Sequence, residues 1–524
     1  MTAMPLGETY RVIEPVEHDL AGLSGQTPNL EIAYSEGVTS RDTFDRYISL
    51  REQAATKPKV EGEALLAIQE ASRAWVAETG ILDLPEGEAE RTRYYGSYDR
   101  DVVRGKIEAF TDFLDLHYNG VISDAEIEAT RIFIDSAFNM YEDAPTTDNG
   151  VMEDADGSFA FIVPARMDRD KPEYGEEVEL VAPALRYLPN ELRAQMMIGL
   201  PPFVIDTYEP NEEGRRGYLI FAPVFGDMQK DIESRSNQMG IARQHVNNAV
   251  DYARRRHGVD VAGLGATLPS LTMYGKYVTN PDVITTTGHG GTTELIALTA
   301  EAGLNGRPME SIGVLGMGAI GASVAEVLAE RYPNIPVSVF DINHKLMEKV
   351  VARNEGRLIA AESDAELIAS SQVIVSAIVG ELSLKAMGID NVYGKVFVDD
   401  SQPAALNPAE VEAAGGNVLW VVGQDPTNKV LYRNGYDYAS LADKHTDAFG
   451  CELEAALLAR YMTDMRQKGM SQEQALAAGR EYAIHEAVTP DAVNKFTYLF
   501  ERYGIVAALP QAFGKHVELK TIIE

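Results

Sequence analysis

The segment Gly316-Met317-Gly318-Ala319-Ile320-Gly321 constrains this chain more than any other, because of what surrounds it. It directly follows the apolar run Ile312-Gly-Val-Leu315 and opens a helical pattern that continues from Ala322 to Tyr332. In that setting each glycine has a steric reason: Gly316 permits a tight turn, Gly318 lets backbone approach a pyrophosphate, and Gly321 allows a helix to lie close to a strand. The helix start then offers amides and the positive end of a dipole to phosphate. Asp341 ends the next apolar run, twenty positions after Gly321, where a carboxylate accepts from both ribose hydroxyls of an adenosine. All six loop residues and Asp341 therefore predict a dinucleotide site. Asp341 favours NAD(H), because a 2′-phosphate would meet negative charge. His344 and Lys345 lie close enough to leave NADP(H) open. A glycine-rich turn that binds nothing is the other reading of the same residues.

The fold class follows from what repeats around this turn. Apolar strand cores at Ile312–Leu315, Val337–Phe340, Val373–Ser376, Val396–Val398 and Val418–Val422 alternate with helical patterns. That alternation predicts a Rossmann-type, doubly wound parallel sheet covered on both faces, assigned to 308–430. Upstream, residues 158–307 read as a second α/β domain, the substrate domain. Phe159–Val163, Pro202–Asp206 and Gly217–Phe221 are short β-rich runs there, and Asn211-Glu-Glu-Gly214 is a hairpin turn between the last two. A helix over 236–257 ends at Gly258 and leads into a strand over 259–266. Residues 1–157 read as an acidic, mainly helical extension: a loosely ordered leader to about Lys59, amphipathic patterns at 62–77 and 107–117, a capping box at Ser123–Glu126 and a linker over Tyr141–Gly150. Residues 431–524 form C-terminal helices that pack back on the core.

A net charge of −34 argues against nucleic acid as a partner, since phosphate contacts need clustered Lys and Arg. An acidic carrier protein would also be repelled unless a local basic patch received it. Arg254-Arg-Arg-His257 and Arg215-Arg216 are the candidates, a solvated surface being the plainer reading of both. No stretch of about 20 apolar residues predicts a membrane span, and the N-terminus lacks the pattern of a secretory signal. One cysteine cannot form an internal disulfide, which fits a cytoplasmic protein. No metal site is expected, and assembly into a homo-oligomer is left open.

That one cysteine is Cys451, in Thr446-Asp-Ala-Phe-Gly-Cys-Glu-Leu-Glu454. A free cysteine is commonly a small buried hydrophobe. Here Asp447 can cap a helix with Cys451 in its first turn, where amide dipoles favour a thiolate, and Lys444 and His445 would lower the thiol pKa further. Glu454, one turn on, reads as structural or orienting rather than catalytic.

From about Phe159 onward the chain resembles the aldehyde-forming fatty acyl-[acyl-carrier-protein] reductases of cyanobacterial type. The resemblance lies in an ordered series of segments: Leu200-Pro-Pro-Phe-Val-Ile-Asp206, Gly217–Val224, His257–Gly265, Thr285-Thr-Thr-Gly-His289, the glycine fingerprint, Val398-Asp-Asp-Ser-Gln-Pro403 and Phe449–Leu458. It implies that Cys451 attacks an acyl thioester, of coenzyme A or an acyl-carrier protein, and that hydride from a nicotinamide releases the acyl group as aldehyde. Two departures stand out. The family's segment after the threonine pair has an asparagine and, two places on, a histidine; here Gly291 takes the histidine's place and His289 lies two positions earlier. Either His289 fills a shifted polar role or the carbonyl is polarised otherwise. The family is also NADPH-dependent with a variant loop, unlike Asp341 with an ordinary fingerprint. Two other readings compete: a dehydrogenase or imine reductase acting on a free small molecule with Cys451 inert, and a non-catalytic NAD-binding protein whose extension holds a partner.

Overall fold

The computed structural model describes residues 60–519 apart from 84–85, 146–149, 153–154, 166–181, 209, 226–234, 355, 379, 402–403, 426–440, 443–445 and 485–487, and residues 46, 49–50 and 53 besides. Nearly all of the leader, the linker core at 146–149, and Lys444 and His445 thus lie outside the described residues.

Two mainly parallel sheets organise the chain. The first has strands β1 (Gly157–Ala165), β2 (Phe203–Thr207), β3 (Arg216–Phe225), β4 (Val261–Leu264) and β5 (Ile284–Thr286) in the order β2-β3-β1-β4-β5. Only β2 is antiparallel, joined to β3 by the hairpin expected at Asn211, whose amide donates to the Arg215 carbonyl at 2.7 Å. The second has β6 (Ile312–Leu315), β7 (Val337–Phe340), β8 (Leu358–Ala360), β9 (Val373–Ser376), β10 (Val396–Asp399) and β11 (Asn417–Trp420) in the order β11-β10-β9-β6-β7-β8. All its pairs are parallel, and the order reverses between β6 and β9, the crevice where ligands of such sheets bind. The fold is therefore the expected doubly wound sheet accompanied by a second α/β sheet.

The helix His289–Gly303 runs from the first sheet to the second and packs on the latter. A β-carbon at Gly303 would come within 2.6 Å of both Val396 and Leu419, so glycine sets how closely this helix approaches β10 and β11. From the C-terminal part, the helix Gly450–Gln467 crosses the first sheet, with Gly263 of β4 making room for Ala455. The helix Pro490–Tyr503 closes on the connecting helix through Phe496, which fills the space beside Gly290.

The N-terminal helices Gly62–Thr79, Glu88–Gly96, Arg100–Tyr118 and Asp124–Glu142 share a core with the first sheet rather than standing apart from it. Ser123 and Glu126 form the expected capping box. Phe133 meets Phe203 of β2 edge-on at 5.2 Å, and buried Lys106 donates to Tyr94 and to the carbonyls of Gln195 and Ile198 at 2.9–3.3 Å. Burial lowers the Lys106 pKa to about 8. His245 joins the same interface, its ring nitrogens 3.0 Å from the Tyr98 hydroxyl and 2.6 Å from the Tyr95 carbonyl. These helices thus turn their apolar faces inward and continue the first sheet's core.

The arginines of both basic clusters have partners within the fold, so neither cluster is a merely solvated surface. Arg215 and Arg254 converge on Asp260 at 2.6 and 3.0 Å, Arg216 pairs with Asp156 at 2.7 Å, and Arg255 donates to the Pro145 carbonyl at 2.7 Å. Arg256 and His257 are fully buried, the latter stacked on Tyr218. The physical reason is the position of Asp260 at the start of β4: a buried carboxylate there needs cationic partners, and it also receives Arg466.

Candidate functional site

The turn after β6 has the geometry its glycines predict. Gly316 sits at φ +89°, where L side chains are strained, and a β-carbon there would lie 2.4 Å from the Ala377 carbonyl oxygen. A β-carbon at Gly321 would stand 1.8 Å from the Gly316 carbonyl oxygen, so the helix Ala319–Arg331 could not seat against the turn. Gly318 differs: it is the N-cap, its φ of −65° suits any residue, and a β-carbon would meet nothing among the described residues within 4 Å. Internal packing demands the first and third glycines, whereas nothing among the described residues demands the second. Gly318 makes no side-chain cap for this helix start, which suits it to an anion.

Asp341 stands at the end of β7 beside this turn. Its carboxylate accepts from the Met317 amide at 2.5 Å and the Asn343 amide at 2.6 Å. It is half-buried, next to Ile342, which is 90% exposed. Ala319 and Ile320 form the first turn of the helix. The open approach over Gly318 and the Asp341 carboxylate fit the phosphates and ribose of a dinucleotide.

A second glycine turn follows β5, and Cys451 lies on it. Gly288, at φ +77°, is the N-cap of the helix His289–Gly303. A β-carbon on Gly288 would sit 2.2 Å from Cβ and 2.6 Å from Cα of Cys451. Gly291 faces the Gly450 carbonyl and Gly450 faces Thr292 as tightly. Three glycines therefore let the starts of two helices meet, at the C-terminal edge of the first sheet.

Glu454 fills the junction. One oxygen accepts from the Gly288 amide at 2.9 Å and from the Thr286 hydroxyl, and the other accepts from the Gly291 amide at 2.7 Å. The residue is fully buried. Burial outweighs these donors and lifts the carboxyl pKa to about 7. The contacts give Glu454 the structural or orienting role expected of it, toward a turn 163 to 168 positions away in the chain. Its spacing from Cys451, one helical turn, was the available signal.

Cys451 is the second residue of the helix Gly450–Gln467, hence in its first turn as expected. The cap is not Asp447, however. Phe449 is the N-cap, with its amide held by Glu452 at 3.3 Å, while Asp447 belongs to a short strand and accepts from Gln511 at 2.7 Å. Pairing of Asp447 with Gln424 in that strand delays the helix by two residues. Nor is the thiol acidified: burial first, then the charges of Glu452, Asp400 and Glu454, hold Cys451 above the usual thiol range. The side chain remains partly accessible.

His289, the other candidate, is the first residue of its helix, next to Gly288. Burial lowers its pKa to about 4, so it is a neutral imidazole at ordinary pH. Its Nδ1 has no partner among the described residues, and its ring meets Tyr274 edge-on at 5.6 Å. The paired Asp399-Asp400 at the end of β10 carried no role in the sequence reading. Asp399 accepts from the amides of Ser401, Ala405 and Leu406 at 2.9–3.2 Å and so holds its loop, while Asp400, deprived of water and beside Asp399, is raised well above the ordinary carboxyl range.

The described geometry agrees with comparison to known families. Residues 311–394 match the NAD binding domain of 6-phosphogluconate dehydrogenase. The chain carries an NAD-binding domain. That domain is of the NAD(P)-dependent oxidoreductase type. No curated protein matches the chain. Among solved structures, it is similar to shikimate dehydrogenase from Aquifex aeolicus at 12% identity, covering 51% of this chain and 88% of that one with a TM-score of 0.27. Quinate dehydrogenase from Corynebacterium glutamicum in complex with NAD gives 14% identity, 50% and 87% coverage and a TM-score of 0.27. An imine reductase from Bacillus cereus gives 15% identity, 37% and 76% coverage and a TM-score of 0.17. Scores this low carry no argument about substrate. None of these comparisons supports the acyl-carrier-protein reductase resemblance specifically. Among the described residues, no helix is long and apolar enough to cross a membrane.

Proposed function

We propose that this protein reduces an acyl thioester to an aldehyde with a nicotinamide dinucleotide, through an acyl group carried on Cys451. One observation carries the reading: the sole thiol, 130 positions beyond the fingerprint glycines, lies on Gly288 at the C-terminal edge of the first sheet, within electrostatic reach of Asp400 at the C-terminal edge of the second. In folds of this kind that is where bound substrate and cofactor meet.

The chemistry divides into two steps. The Cys451 sulfur adds to the thioester carbonyl, the bond to the departing thiol breaks, and that thiolate takes up a proton. A dinucleotide held at the Gly318 helix start and by Asp341 would supply hydride to the acyl carbon when bound, and breaking of the carbon–sulfur bond would then give aldehyde and free Cys451. Asp341 favours NADH over NADPH. A coenzyme A thioester is favoured over an acyl-carrier protein, because the two basic clusters available to an acidic carrier are engaged within the fold.

The raised pKa of Cys451 favours a second reading, a dehydrogenase or imine reductase of a free small molecule in which the thiol is inert. Intact-mass measurement after incubation with a long-chain acyl-coenzyme A, without reductant, separates the two. The thioester reading expects one acyl group per chain, absent from Cys451→Ala, and loss of thioester-dependent NADH oxidation in that variant. Full oxidation activity in Cys451→Ala would reject it.

A further inference from the structure

Cys451 and Glu454 leave the same face of one helix, a turn apart, and converge on one residue. The β-carbon of Cys451 occupies the space in which a Gly288 side chain would stand, and a Glu454 oxygen accepts from the Gly288 amide at 2.9 Å. The amides of Gly288 and Gly291, with the Thr286 hydroxyl, form a cradle at a helix start that suits one negative charge. Two anions in that space would repel one another, as the effect of Glu454 on the Cys451 thiol already indicates.

We propose that Glu454 is the proton acceptor for the Cys451 thiol, the pair sharing a single negative charge over the Gly288–Gly291 turn. This inference rests on the reading of Cys451 as nucleophile. The S–H bond of Cys451 breaks as an O–H bond forms on Glu454, so the charge moves to sulfur without a net change in the pocket. After sulfur attacks the thioester, the Glu454 proton passes to the departing thiolate, and the carboxylate returns to the cradle. No oxidant or reductant takes part. Glu454, with its carboxyl lifted toward neutrality, is matched to such an exchange.

The other groups facing the pair among the described residues do not replace it. On the same helix Glu452 is held by the Tyr208 hydroxyl at 2.6 Å. His289 on the turn is neutral, and burial together with Asp399 raises Asp400, at the end of β10, well above the ordinary carboxyl range. Glu294, further along the connecting helix, is paired with Arg331 at 2.6 Å and receives Thr497 from the helix Pro490–Tyr503, which otherwise presents Phe496 to the turn.

Because the chain has one cysteine, alkylation by iodoacetamide reads Cys451 alone. The rate constant, followed from pH 5.5 to 9.5 on the full chain, should rise with an inflection near the Glu454 value of about 7. Glu454→Gln should abolish that inflection and slow alkylation roughly tenfold or more at pH 8, while Glu454→Asp should restore part of both. A wild-type profile with a single alkaline ionisation and no inflection near neutrality would overturn the inference, as would an inflection that persists in Glu454→Gln. Should that variant not fold, the wild-type profile alone decides. Alkylation requires no acyl substrate, so the two readings fail separately: an inflection without acyl transfer rejects the thioester, and acyl transfer without an inflection rejects Glu454.

Discussion

Two strand–glycine–helix turns stand at the C-terminal edges of the two sheets, one after β6 and one after β5. In both, a glycine at positive φ starts the turn and a helix start directs its amides outward. After β6, Gly318 faces open space among the described residues. After β5, a carboxylate from the same chain, Glu454, occupies the helix start and Cys451 lies on its glycine. Among the described residues, the same backbone device thus stands open in one place and holds an internal anion in the other. What decides between them is whether another segment supplies a charge to complement the amides. A glycine motif alone is silent on that point.

Alanine substitutions should expose the contrast most strongly. In Gly288→Ala the new methyl group would meet Cys451 at φ +77°, and in Gly291→Ala it would meet the Gly450 carbonyl at 2.3 Å. Each should destabilise the fold by about 3 kcal/mol or more, by overpacking and, at Gly288, by backbone strain as well. Gly318→Ala should change stability by no more than about 0.5 kcal/mol. Urea unfolding of the three variants measures this, and equal losses at Gly288 and Gly318 would break the comparison.

A pH series should sharpen it, because the internally occupied turn carries two displaced groups of opposite sign. His289 has its folded pKa lowered from 6.5 to about 4, so stability falls as pH drops through that window, on the order of 3 kcal/mol in full. Glu454 has its folded pKa raised from 4.5 to about 7, so its effect runs the other way: stability falls as pH rises from 4.5 to 7, by a similar order. The two nearly cancel between pH 4.5 and 6.5. His245, also lowered to about 4, adds a loss on acidification at the N-terminal interface. Glu454→Gln should therefore lose stability on acidification from pH 6.5 to 4.5 more steeply than the wild type, as read by urea midpoints at each pH. Parallel curves would show that Glu454 titrates as an ordinary carboxyl.

Ligand binding should respond in the reverse order. Gly318→Val leaves the free protein intact yet places a branched side chain over the helix start, and should weaken NADH binding roughly tenfold or more, about 1.4 kcal/mol. Titration of NADH fluorescence measures the loss, and unchanged affinity would mean that this helix start receives no phosphate.

How much of this was legible in the sequence follows the same division. The second sheet was readable strand by strand, because a parallel sheet buried on both faces needs continuous apolar runs such as Val373-Ile-Val-Ser376, and the fingerprint glycines lie within one local turn. The first sheet's hairpin was readable from Asn211 and Gly214. The site around Cys451 was not, since it depends on contacts between segments some 160 residues apart: Thr286 to Glu454, Gly288 to Cys451 and Gly291 to Gly450. Local capping rules chose Asp447, but a strand pairing had already claimed it. The internal partners of the basic run Arg254–His257 were hidden for a similar reason. Its charges look free in sequence, and Asp260, which gathers three arginines at 2.6, 3.0 and 3.4 Å, is not distinguished from any other aspartate until the start of β4 buries it.

The smallest effect bears most directly on the comparison, because Asp341 stands toward the β6 turn much as Glu454 stands toward the β5 turn. Its carboxylate already accepts from the Met317 and Asn343 amides. It therefore has two roles available: a clamp on the glycine loop, or an acceptor for ribose hydroxyls, for which lone pairs remain on both oxygens. Asp341→Ser removes the charge from both roles. As a ribose acceptor, Asp341 discriminates against a 2′-phosphate by charge repulsion, and the variant should shift the ratio of NADH to NADPH affinity toward NADPH by a few-fold to roughly tenfold. As a clamp alone, it would let both affinities fall together, with a stability loss of about 1 kcal/mol from the lost amide contacts. An unchanged ratio would make the two turns more alike than their glycines suggest, each held by a carboxylate of its own chain, and would return the choice between NADH and NADPH to His344 and Lys345.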